Sequence, residues 1–224
     1  MAEESGLILP LGDFVLRTAC NTLLRLQARF PRPDPLAITV NISARQLQQP
    51  LFVENVLTAI TESNILPSSV VLELTESILL EDTAHIVKLE SLRRQGVRIA
   101  VDDFGTGYSS LSYLRSLPVD TLKIAKPFVD DLGAEEGNGD FARAIVGLGS
   151  ALRLSLIAEG IEKATQVTQL RELGCRLGQG FYLSHPVGVE EIEALLERGG
   201  IDRSRLDLDD DSRLEQVIPL RVHR

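Results

Sequence analysis

Tryptophan is absent from this chain of 224 residues, methionine occurs once, cysteine twice, and aromatic residues make up only 4 %. A core must therefore be built from Leu, Ile, Val and Ala, and 44 % hydrophobic content supplies enough of them for one domain. The two cysteines, Cys20 and Cys175, lie far apart and fit no zinc spacing, so they read as reduced core thiols. Three scattered histidines, His85, His185 and His223, argue against a His-rich metal site. No apolar run reaches the roughly 18 residues of a membrane span. The opening Met1-Ala2-Glu3-Glu4 is acidic where an export signal is basic. The expectation is a cytoplasmic protein with no membrane partner. Positive charge is also short: 23 Lys and Arg stand against 32 Asp and Glu, a net charge of −9. Such a chain repels nucleic-acid polymers, so none is expected as a partner. A small phosphate ligand stays open provided that bound cations mediate.

What is present is an alternation. Leu11 to Phe30 has helical periodicity, with Leu16, Ala19, Cys20, Leu23 and Leu24 on one face. Strands are predicted over Ala37 to Ile42, Val70 to Thr75, Val97 to Val101, Thr121 to Ile124 and Leu154 to Ala158, with a weaker one at Gly180 to Leu183. Between and after them the pattern predicts helices over Phe52 to Asn64, Thr83 to Gln95 (capped by Gly96), Ser109 to Leu117, Phe141 to Leu152, Ala164 to Leu173 and Val189 to Leu196. Strands alternating with helices imply a parallel sheet with right-handed crossovers. Continuously apolar strands imply helices on both faces. Asn41, Glu73, Asp102, Asp103, Lys123 and Glu159 fall at or just past strand C-termini. In a barrel those ends share one mouth, where active sites sit, and this favours a TIM-like (β/α) barrel over an open sheet.

Carboxylates gathered in that way repel: two of them 4 Å apart cost roughly 4 kcal/mol at an effective dielectric near 20. They need cations, and an all-oxygen set suits Mg²⁺ or Mn²⁺ better than zinc. Each acid alone could simply cap a helix or pair with an arginine; their joint position at strand ends is the specific signal. Lys123 among them could orient a water, neutralise a phosphate, or form a buried ion pair with Asp102 or Asp103. The segment Asp102-Asp103-Phe104-Gly105-Thr106-Gly107-Tyr108-Ser109-Ser110 makes a tight loop whose backbone N–H groups suit an anion.

These segments, together with Val40-Asn41-Ile42-Ser43, Glu73-Leu74-Thr75-Glu76-Ser77, Leu122-Lys123-Ile124, Ala158-Glu159-Gly160-Ile161-Glu162 and Gln179-Gly180, resemble in family order the EAL domains, bacterial hydrolases of cyclic di-GMP. The resemblance covers about Ala2 to Leu196 and defines an incomplete domain over 1–198, followed by an acidic C-terminal tail over 199–224. It implies metal ligands at Asn41, Glu73, Asp102 and Asp103, and catalytic roles for Lys123 and Glu159. It implies that Glu76 anchors the loop Phe104, Gly105, Thr106 and Gly107, that Glu162 and Gln179 support the site or touch ligand, and that the region 108–117 forms a homodimer face. The activity implied is hydrolysis of cyclic di-GMP to pGpG at a two-metal site.

Two departures from the family pattern lead to an expectation of impaired activity. The family's first strand, with its Glu-Ala-Leu ligand, is not in this sequence, and Ala125 stands where the family has an Asp that serves the second metal. A catalytically inactive cyclic di-GMP receptor and an EAL-like protein-interaction regulator are the alternatives.

Overall fold

The computed structural model describes residues 2–106, 114–132, 139–199 and 215–216. It divides into two compact units: Met1–Val101 with Ser109–Asp120, and Asp102–Tyr108 with Thr121–Arg224.

The first unit opens with helix α1 (Ile8–Arg29), which buries Gly12, Leu16, Ala19, Cys20, Leu23 and Leu26 at the three- and four-residue spacing of one face. Pro31, Pro33 and Pro35 prevent its continuation. No strand precedes α1 among the described residues. Strand β1 (Ile38–Asn41) follows and pairs in parallel with β2 (Val70–Thr75), Asn41 opposite Glu73. Between them lie α2 (Ala44–Gln48) and α3 (Phe52–Glu62). Ser43 caps α2: its hydroxyl accepts from Gln46 N at 3.3 Å, while its own N–H donates to Gln46 Oε1 at 3.1 Å. β2 is largely buried, whereas β1 hides Ile38 and Val40 and exposes Thr39 and Asn41.

After β2 come α4 (Glu76–Glu81) and α5 (Thr83–Arg94). Asp82 caps α5 through Ala84 N at 2.8 Å, and Gly96 closes it at φ +95°, as its sequence predicts. β3 (Arg98–Phe104) then begins. Its entry is pinned by Asp120, whose carboxylate accepts from Ile99 N at 3.0 Å and whose N–H donates to Ile99 O at 2.9 Å.

The second unit takes over β3 at Asp102. It continues with β4 (Thr121–Ile124), α6 (Lys126–Leu132), α7 (Asp140–Leu152), β5 (Ser155–Ala158), α8 (Ala164–Glu172), β6 (Leu177–Gly178), α9 (Val189–Glu197) and β7 (Glu215–Gln216). Pairing is parallel throughout, with Lys123 opposite Ile157, Ala158 opposite Gly178, and Leu177 opposite Glu215. Helix α7 lies close on β5 because Gly149 carries no side chain: a Cβ there would come within 2.5 Å of Leu156 Cδ2. Cys20 and Cys175 are both free and buried, and burial pushes each thiol up to about 11.

Several expectations need correction. β3 runs on to Phe104, so Asp102 and Asp103 lie within the strand and not beyond it. The strand expected at Gly180 to Leu183 is instead Leu177–Gly178. The apolar Phe181 that suggested it is 57 % exposed, and the chain turns there, Leu183 N and Ser184 N both donating to Gly180 O at 3.0 Å. Helix α6 was not anticipated, although Pro127 in its first turn was a start signal. Most of the helix and dimer face expected between 108 and 117 lies outside the described residues, as does most of the tail. The described part of the tail beyond Gly199, β7, adds a strand to the β6 edge.

Gly180 passes so close to Ile161 that a Cβ would come within 2.2 Å of that residue's backbone N and O. Gly174, at φ +93°, has nothing within 4 Å. Urea denaturation should show Gly180→Ala destabilised by about 3 kcal/mol, against about 1 kcal/mol for Gly174→Ala.

Candidate active site

Strand β4 is buried at all four positions, and one of them is a lysine. Lys123 retains only 5 % exposure, so its ammonium must be paired. Its Nζ donates to Asp102 Oδ1 at 3.0 Å and forms a second ion pair with Glu159 Oε1. Glu159 follows β5, held there by its own N–H, which donates to Ile124 O at 3.1 Å. Gln179, just past β6, donates from Nε2 to Glu159 Oε1 at 2.5 Å. Four residues from four consecutive strand ends of the second unit thus meet: Asp102, Lys123, Glu159 and Gln179.

The electrostatics of this cluster are unbalanced. One ammonium faces two part-buried carboxylates whose oxygens lie within 4.8 Å of each other. Burial pushes the Glu159 carboxyl up to about 7; Lys123 opposes the shift and Asp102 adds to it. A carboxyl held near neutrality beside a second carboxylate is a place where a further cation is favourable. The donors on offer are oxygens, so the carboxylate pair fits a hard divalent ion such as Mg²⁺ or Mn²⁺.

Asp103 behaves differently from its neighbour. Asp103 is exposed, lies at φ +51° where the strand's alternation breaks, and makes no ion pair with Lys123. Its backbone carbonyl instead receives Thr106 Oγ1 at 2.8 Å and Thr106 N at 3.3 Å, which folds the loop after β3 back on itself. Phe104 is buried, and Gly105, at φ +93°, lets the loop pass Phe128: a Cβ there would lie 2.9 Å from the ring. Gly107 lies outside the described residues.

Glu162 does not approach Glu159's partners. It pairs with Lys126 at 3.0 Å on the surface, where Lys126 also meets Asp130 at 2.8 Å. The i,i+4 spacing of Lys126 and Asp130 was a readable sign of this pair. Ala125, directly after β4, is fully buried and brings only a methyl group. In the first unit, Glu73 is buried on β2 opposite the exposed Asn41 at the end of β1, and Glu76 is buried at the first position of α4.

The family model for the EAL domain matches residues 1–186. The chain belongs to the EAL-domain family. It is 41 % identical over 195 residues to the bifunctional diguanylate cyclase/cyclic di-GMP phosphodiesterase MucR of Pseudomonas aeruginosa, covering 87 % of this chain and 28 % of MucR. It is 38 % identical over 197 residues to the cyclic di-GMP phosphodiesterase NbdA of the same organism, covering 88 % and 25 %. The chain thus spans about a quarter of the length of these relatives. Among solved structures, the MucR phosphodiesterase in complex with c-di-GMP superposes with a TM-score of 0.80 at 41 % identity, over 85 % of this chain and 77 % of that one. The EAL domain of Mycobacterium smegmatis DcpA gives 0.81 at 41 % identity, over 86 % of each chain. The fold class is the TIM-like (β/α) barrel of these domains. No helix among the described residues is long and apolar enough to cross a membrane.

The raised Glu159 carboxyl has a measurable consequence in metal-free buffer. Its folded value of about 7 lies above the unfolded value near 4.3, so the folded state holds a proton that the unfolded chain has lost. The stability it contributes is complete below about pH 4.3 and is lost as pH rises through about 7. Denaturation midpoints in EDTA should therefore fall across that window, and Glu159→Gln should flatten the fall. An identical pH profile in the variant would place the titrating group elsewhere.

Proposed function

We propose that this domain hydrolyses the phosphodiester of cyclic di-GMP to give linear pGpG. The observation that carries the reading is the buried Lys123 set between Asp102 and Glu159, in a chain of the EAL family. Asn41, Glu73, Asp102 and Asp103 are the residues proposed to hold Mg²⁺ or Mn²⁺. Bound divalent ions supply neutralisation of the phosphate and activation of water. Glu159, with its carboxyl near neutrality, accepts the proton of the attacking water at physiological pH. Lys123 orients both carboxylates and presents a positive charge toward the substrate's phosphate. Gln179 fixes the rotamer of Glu159 through its short hydrogen bond. The loop Phe104 to Thr106 lies beside this cluster in the chain and supports substrate.

Ala125 favours a second reading, a receptor that binds cyclic di-GMP and turns it over slowly or not at all. The position is buried and offers no oxygen where the resemblance to the family implies a carboxylate. Loss of a group that supports a metal commonly costs 10–100-fold in affinity or activity.

Incubation of the purified protein with cyclic di-GMP and Mn²⁺, with pGpG followed by chromatography, separates the two. Hydrolysis should be abolished by EDTA and lowered at least ~100-fold by Asp102→Ala. Ala125→Asp should raise turnover roughly 10–100-fold. Tight binding without any pGpG would replace the enzyme reading with the receptor reading.

A further inference from the structure

A cavity of about 620 Å³ opens in the first unit around the start of β3, and four of its lining residues are arginines: Arg93, Arg94, Arg98 and Arg115. Against them stand two acids, Glu90 and Asp120. The balance is two positive charges in excess, in a chain whose net charge is −9. Both acids are already engaged. Asp120 accepts from Arg93 Nε at 2.9 Å and from Ile99 N at 3.0 Å, and Glu90 faces Arg94 at 3.6 Å. Among the described residues neither Arg98 nor Arg115 has an ion-pair partner.

Part of this charge has a local reason. Arg93 and Arg94 occupy the last turn of α5, where cations offset the helix dipole. That account does not extend to Arg98, which opens a strand, or to Arg115, which comes from a different segment. Arg98 and Arg115 reach one space from separate segments, and an anion there would be attracted by both. The guanidinium fork matches phosphate oxygens in pairs, which makes phosphate the chemistry of choice. The volume lies within the usual range of small-ligand cavities, roughly 300–1,000 Å³. Of the apolar residues beside the arginines, Leu117 is half-buried, while Val97 and Pro118 lie buried beneath the surface.

We infer a second ligand site at the N-terminal end of β3, which binds a phosphorylated small molecule of nucleotide size through Arg98 and Arg115. It is chemically the opposite of the carboxylate cluster reached at the other end of that strand. It needs no metal, and it does not depend on the function proposed above.

The test is calorimetric titration of the full chain with GTP and with inorganic pyrophosphate in EDTA, which excludes metal-mediated binding at the carboxylates. Both probes should bind, because both present the phosphates that Arg98 and Arg115 would hold. Arg98→Glu and Arg115→Glu should each weaken GTP at least ~10-fold, and the double variant at least ~100-fold. Both positions are exposed, so unchanged thermal melting is the expected folding control. Binding no tighter than about 1 mM for both probes, or a double variant that binds like the parent chain, would overturn the site.

Discussion

A lysine ammonium with almost no access to water governs the second unit. Lys123 is the third residue of a four-residue strand, and its place in the parallel register fixes the direction in which it points. At an effective dielectric near 20 its attraction to Asp102 across 3.0 Å is on the order of 5 kcal/mol. The desolvation of both groups costs several kcal/mol each. The pair therefore contributes little net stability, and its value is positional. It ties the ends of β3, β4 and β5 to one point, and Gln179 adds the end of β6. Burial raises the proton affinity of Glu159; Lys123 opposes the rise and Asp102 adds to it.

Backbone geometry around that point is arranged without bulk. Gly105, Gly160 and Gly180 each allow a close passage that a Cβ would obstruct, against Phe128, Lys126 and Ile161 respectively. The strand ends can then turn sharply away while their side chains remain gathered. At the other end of β3 the device is different: Asp120 clamps Ile99 through both of its backbone partners and leaves the surrounding arginines in excess.

Much of this was legible in the sequence. Five strands stand where alternation and β-branched runs put them, and the sequence singles out Asp102, Lys123, Glu159 and Gln179. The resemblance to EAL domains supplied their roles; strand-end position grouped Asp102, Lys123 and Glu159, whereas Gln179 came from the resemblance alone. What was not legible has physical causes. Asp102 and Asp103 are adjacent, and composition does not distinguish the part-buried Asp102 from an exposed Asp103 in the left-handed region. The strand at Leu177–Gly178 is two residues long, too short for any periodicity, and the apolar run after it is a turn. Glu162 belongs to a surface pair whose partner, Lys126, sits in a helix that only Pro127 announced. The arginine cavity joins segments separated in sequence, so its charge excess is invisible in an acidic chain.

The central claim is that burial, only partly offset by Lys123 and reinforced by Asp102, holds the Glu159 carboxyl near neutrality, and that a bound divalent cation displaces its proton. Calorimetric titration with Mg²⁺ at about pH 6, repeated in buffers of different ionisation enthalpy, counts the protons released on binding. The account predicts release on the order of one proton by the parent chain and none by Glu159→Gln. Metal uptake with no proton release, or with equal release in both proteins, would contradict it.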